Sequence, residues 1–272
     1  MEIRHAEIAH ERIGAGIDLV WGHGLTQSRL LEDRRPLVDL AGIDAAVVRY
    51  DARGHGESES TSDLDGYGWD QLARDQLELA SRLGIERYIA AGASMGAATA
   101  LHAAVLAPER VLGLVLVIPP TGWETRASAA ETYEQGARAV ETVGVERVIA
   151  AGAVVAPPDP FVDDPEFAAR RADGLRSWDP VRLARAMRGA TRAQLPSRDE
   201  IATITCPTLV LAWTGDPVHP VSTADELRRL IPEAEVHIAS TADEMSRWTA
   251  LVAGFVASIG SDAGRVDDHP DA

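Results

Sequence analysis

Gly92-Ala93-Ser94-Met95-Gly96 is the segment of the chain best built for chemistry. It follows an apolar run over 87–91 that reads as a strand, and it opens an Ala-rich run that reads as a helix. In that setting G-x-S-x-G forms a nucleophile elbow: a tight turn holds the serine in a strained backbone conformation while small neighbours let the turn pack. The helix N-terminus behind the serine adds a positive dipole end and free N–H groups for a developing oxyanion. A second donor is expected from His23-Gly24-Leu25, after an earlier strand, where the N–H of Leu25 can join that of Met95 in an oxyanion hole. A plain glycine turn is the bland alternative for that segment.

The elements that must hold these residues are short apolar runs over 18–21, 45–50, 87–91, 112–118, 208–213 and 235–238. The intervals between them are helical in pattern, for example over 70–80. This alternation predicts an α/β chain with a mostly parallel sheet covered by helices on both faces. Between 119 and 204 the strand rhythm stops and helical patterns with Pro-rich breaks take over, so the expected organisation is a core of 1–118 and 205–260, a helical cap of 119–204 and an acidic flexible tail of 261–272. A closing helix is expected over 249–259. The decapeptide at 84–93 nearly returns at 144–153, but only the first copy continues into Ser-x-Gly, and a third copy is missing; the second reads as an Ala-rich cap helix rather than a repeat.

Composition narrows the partners. The 272 residues carry 42 acidic and 26 basic side chains, every basic one Arg, for a net charge of −16. Such a surface repels phosphate backbones and anionic lipid, so neither nucleic acid nor membrane is expected as a partner. The single cysteine, Cys206, allows no intramolecular disulfide and reads as a buried, inert thiol. The N-terminal residues lack the apolar stretch of a signal peptide, and a cytoplasmic location is expected. No metal-ligand spacing occurs, and Gly14-Ala15-Gly16 precedes a strand rather than a helix, so neither a metal nor a dinucleotide cofactor is expected.

Tyr50-Asp51-Ala52-Arg53-Gly54-His55-Gly56-Glu57-Ser58 completes a set. With His23-Gly24 before it and Gly92 to Gly96 after it, the chain resembles the α/β-hydrolase superfamily, in its esterase, lactonase and haloperoxidase-like branch. The resemblance implies an α/β-hydrolase fold with an inserted helical cap and hydrolysis of a small carboxylic ester or lactone without a cofactor. It also implies that Asp216, in Trp213-Thr214-Gly215-Asp216-Pro217-Val218-His219-Pro220, orients the catalytic histidine. That histidine is expected after the last strand. The residues there, Ala239-Ser240-Thr241-Ala242-Asp243-Glu244-Met245-Ser246-Arg247, include none, and Asp243 falls near its place.

The remaining histidines can be ranked by position. His219, three residues past Asp216, is the best-placed substitute base, although it also reads as a polar turn residue before a helix. His23 and His55 are structural in the resembling family, and His102 lies about 12 Å along the helix from Ser94. Asp243 is a carboxylate candidate. Three readings therefore stand: a serine hydrolase with a relocated base, a small-ligand-binding or regulatory protein that keeps the pocket without the base, and a cofactor-free lyase or perhydrolase.

Overall fold

A computed structural model of the protein describes residues 7–34 and 36–266. Seven strands form one sheet in the order β1-β3-β2-β4-β5-β6-β7: β1 (His10–Ile13), β2 (Asp18–Gly22), β3 (Ala46–Tyr50), β4 (Tyr88–Ala93), β5 (Val111–Val117), β6 (Thr208–Trp213) and β7 (Ala234–Ala239). All pairings are parallel except β1 with β3. β1 is absent from the sequence reading because His-Glu-Arg-Ile offers no apolar run; it is an edge strand whose residues stay exposed or half-buried.

Successive strand residues point to opposite faces. Val20, Val48, Ala90, Leu114, Leu116 and Val210 build one core layer with α2 (Trp69–Arg82) and α3 (Met95–Leu106), while Leu19, Val47, Ile89, Val115 and Leu209 build the other. Each of these Val, Leu and Ile side chains contributes about 1.5–3 kcal/mol on burial. Trp248, Val252, Val256 and Ile259, at helical spacing, cover the second layer from α11 (Trp248–Val266). This helix runs past the expected end at 259, so residues 261–266 of the predicted flexible tail are helical, and the rest of that tail lies outside the described residues. The last strand is followed first by a short helix, α10 (Ala242–Ser246).

In chain order the other helices are α1 (Arg29–Glu32), α4 (Arg126–Val143), α5 (Val145–Gly152), α6 (Phe167–Arg176), α7 (Pro180–Arg192), α8 (Arg198–Ile201) and α9 (Val221–Leu230). α4 to α8 lie between β5 and β6 in the chain. They have a small core of their own, in which Ala137 and Val140 of α4 meet Leu183 and Met187 of α7. Because β2, β4, β5, β6 and β7 run parallel, their C-terminal ends meet at one edge, the edge where open α/β sheets collect functional groups.

Candidate active site

Ser94 leaves β4 with φ 53° and ψ −107°, a left-handed conformation that costs a non-glycine residue about 1–3 kcal/mol. The turn is held on both sides: Ser94 N–H donates to Val117 O of β5 at 2.9 Å, and Gly96 N–H to His23 O at 3.1 Å. The flanking glycines are there for close approach. A Cβ on Gly96 would lie 1.9 Å from Gly22 O and one on Gly92 2.4 Å from the same oxygen, so β2 and the elbow can pack only without side chains at both positions.

Gly24 lies beside the serine, since a Cβ there would stand 3.8 Å from Ser94 Cβ. This brings the turn containing Leu25 to Ser94. Met95 follows as the first residue of α3, where no preceding helical carbonyl accepts its N–H. His55, between the carbonyl oxygens of Arg53 and Leu25 at 2.9 and 2.8 Å, fixes the Leu25 peptide from behind.

His219 Nε2 stands 2.8 Å from Ser94 Oγ, and its Nδ1 2.7 Å from Asp216 Oδ2. With Nδ1 protonated, the ring donates to Asp216 and accepts the serine hydroxyl proton. Asp216 is held by two further donors, Val218 N–H on Oδ1 at 2.8 Å and the Trp213 indole N–H on Oδ2 at 3.0 Å. Burial pushes its carboxyl up, but His219 beside it, by hydrogen bond and charge, together with Val218 and Trp213, holds it down at about 2. The Trp213 ring also meets the imidazole edge-on at 6.0 Å and packs on Phe161 and Trp248.

The other histidines are occupied elsewhere. His23 donates from Nδ1 to Gly24 O at 2.8 Å and accepts the Ala52 N–H at 3.0 Å on Nε2; burial, then the nearby His55, pushes its pKa down to about 3. Burial likewise lowers His55. His102 contacts Gln194 O, His237 contacts Glu235, and His5 and His269 lie outside the described residues. Asp243 is 80% exposed at its side chain and paired with Arg247 at 3.0 Å. Cys206 is half-buried rather than buried, and burial pushes its thiol up to about 11.

Sequence reasoning missed one contributor, Trp213, whose indole N–H was hidden inside an apolar strand run. Among the described residues no cluster of three His, Cys, Asp or Glu side chains could hold a metal ion, and no helix is long and apolar enough to cross a membrane.

Comparison with known proteins agrees with the topology. The chain is 27% identical over 192 residues to 3-oxoadipate enol-lactonase 1 of Acinetobacter baylyi, covering 68% of this chain and 66%, just under two thirds, of that enzyme. In fold it resembles a thermophilic esterase from Thermogutta terrifontis, with a TM-score of 0.77 at 23% identity over 94% of both chains. It also resembles the enol-lactonase from Burkholderia xenovorans LB400, with a TM-score of 0.75 at 23% identity over 93% of this chain and 96% of that one. A family model described as alpha/beta hydrolase fold matches residues 19–250. From β2 to the first turn of α11, the chain belongs to the alpha/beta hydrolase fold family.

Proposed function

We propose that the protein is a serine hydrolase of small carboxylic esters or lactones in which His219 is the general base. The observation that carries this reading is the continuous contact from Ser94 Oγ through His219 to Asp216. Ser94 attacks the acyl carbon and His219 takes its proton. Asp216 keeps the ring in the required tautomer and stabilises the imidazolium. The tetrahedral oxyanion meets the N–H groups of Leu25 and Met95. His219 then protonates the leaving alkoxide, and on a second pass it takes a proton from water, whose oxygen cleaves the acyl-enzyme. The segment 119–204 acts as a cap over this centre, and the substrate is a small acyl compound.

A binding protein would have no use for an imidazole on a strained serine, and that contact weighs against the second reading. The test is turnover of p-nitrophenyl acetate and γ-butyrolactone by the native protein and by Ser94→Ala. Hydrolysis lost in the variant is expected. A folded native protein inert toward both, and unlabelled by a fluorophosphonate, would contradict the proposal and favour ligand binding.

A further inference from the structure

Two side chains from the helices between β5 and β6 reach the loop that carries Leu25. Trp178-Asp179-Pro180 starts α7: the Asp179 side chain accepts the Arg182 N–H at 3.0 Å as N-cap, and Pro180 fills the first helical position. This leaves Trp178 just outside the helix and Arg182 in its first turn. Trp178 packs on the small core that joins α4 and α7.

The guanidinium of Arg182 binds main-chain carbonyls. Nε donates to Gly54 O at 3.2 Å and one terminal nitrogen to Gly56 O at 3.0 Å. The other terminal nitrogen donates to His55 O at 3.2 Å and to Ser58 O at 2.8 Å. Gly54 and Gly56, at φ 77° and 44°, curve this turn so that four of its carbonyls meet one rigid fork of donors. The turn so held is the one that carries the His55 ring.

Three successive carbonyls of the loop after β2 each meet a side chain. His23 Nδ1 donates to Gly24 O at 2.8 Å. With its proton on Nε2, His55 donates to Leu25 O at 2.8 Å. The Trp178 indole donates to Thr26 O at 3.2 Å, and its ring stands edge-on to the His55 ring at 5.0 Å. A peptide unit is planar, so fixing a carbonyl fixes the N–H across the same bond. Gly24 O therefore sets the direction of the Leu25 N–H, and the next two carbonyls keep the loop from rotating. The core supplies the first anchor; Trp178 supplies the third, and Arg182 braces the second through the His55 turn.

We propose that Trp178 and Arg182 are positioning residues that hold the Leu25 N–H toward the developing oxyanion, so that the helices between β5 and β6 take part in turnover. Its bearing on turnover rests on the serine hydrolase reading; the brace on the loop does not.

The test compares native protein with Arg182→Met and Trp178→Phe. The control is Arg188→Met, which removes an ion pair with Glu141, at 2.6 Å, from the same helix. One readout is kcat and KM for p-nitrophenyl acetate and for its thionoester, whose sulfur accepts hydrogen bonds poorly and so draws little from an oxyanion hole. The other is hydrogen exchange of the Gln27 amide, which donates to Gly24 O at 3.0 Å and closes the loop.

Arg182→Met should lower kcat for the ester by about tenfold or more, with KM within about twofold and the thionoester slowed by less than about threefold. Gln27 exchange should quicken by about tenfold. Should this variant fail to fold, Trp178→Phe keeps a ring, removes the N–H and should show the same pattern at about threefold. Arg188→Met should change each quantity by less than about twofold. Equal losses on ester and thionoester, or the same losses in Arg188→Met, would overturn the positioning role. Unchanged Gln27 exchange in the folded Arg182 and Trp178 variants would overturn the brace itself. Faster exchange in those variants, with native protein inert toward both substrates, leaves the brace standing and overturns the hydrolase reading.

Discussion

The loops leaving β6 and β7 are neighbours at one sheet edge, Trp213 pairing with Ala239, yet their carboxylates do opposite work. After β6, Gly215 at φ 78° turns the chain, and Asp216 Oδ1 accepts the Val218 N–H two residues on. That local turn brings His219 back onto the other carboxylate oxygen. After β7, Glu244 accepts from Ser240 and Thr241 in a capping box, and Asp243 faces solvent. One loop commits its acid to an imidazole and the other commits its acids to starting a helix. The lesson is that a base is defined by where its ring nitrogen stands. With acid and base three residues apart, a single turn orders both.

The contrast is broken most severely at His219. His219→Ala should lower kcat for ester hydrolysis by about 10⁵–10⁶-fold. Adding Asp243→His should not restore it, because position 243 points to solvent. Asp216→Asn, which offers the wrong tautomer, should cost about 10⁴-fold in kcat. Trp213→Phe removes one of the donors on Asp216 and should cost about tenfold, measured as kcat at saturating ester.

Acid stability sharpens the same point. Asp216 is held at about 2, below its ordinary 3.8, so its contribution is fully present above pH 3.8 and is lost as pH falls through the folded value. Urea unfolding should show native protein losing about 2 kcal/mol of this contribution across that window, a loss absent in Asp216→Asn. Asp243→His alone should change kcat by less than about twofold.

Much of the fold was legible because parallel strands buried on both faces read as apolar runs. The decapeptides at 84–93 and 144–153 show what decides an ambiguous stretch. They differ only at 85 against 145 and 88 against 148, yet one contains the buried strand β4 and the other the half-exposed helix α5. Context chose between them: Tyr88 is wholly buried and Ser94 follows, whereas the second copy continues into exposed Val154 and Val155. β1 was illegible because an exposed edge strand needs no apolar pattern. In the candidate site, the glycines at 92 and 96 advertised the elbow. The His219 ring direction leaves no mark in one dimension, since its contact with Ser94 joins loops distant in the chain.

The most direct test of His219 as the group that activates Ser94 is the rate of fluorophosphonate labelling, followed by intact mass, for native protein, Ser94→Ala and folded His219→Ala. The account predicts one adduct on native protein, none on Ser94→Ala, and labelling of His219→Ala slowed by about 10²–10⁴-fold. Labelling of His219→Ala at the native rate, with Ser94→Ala still unlabelled, would contradict it.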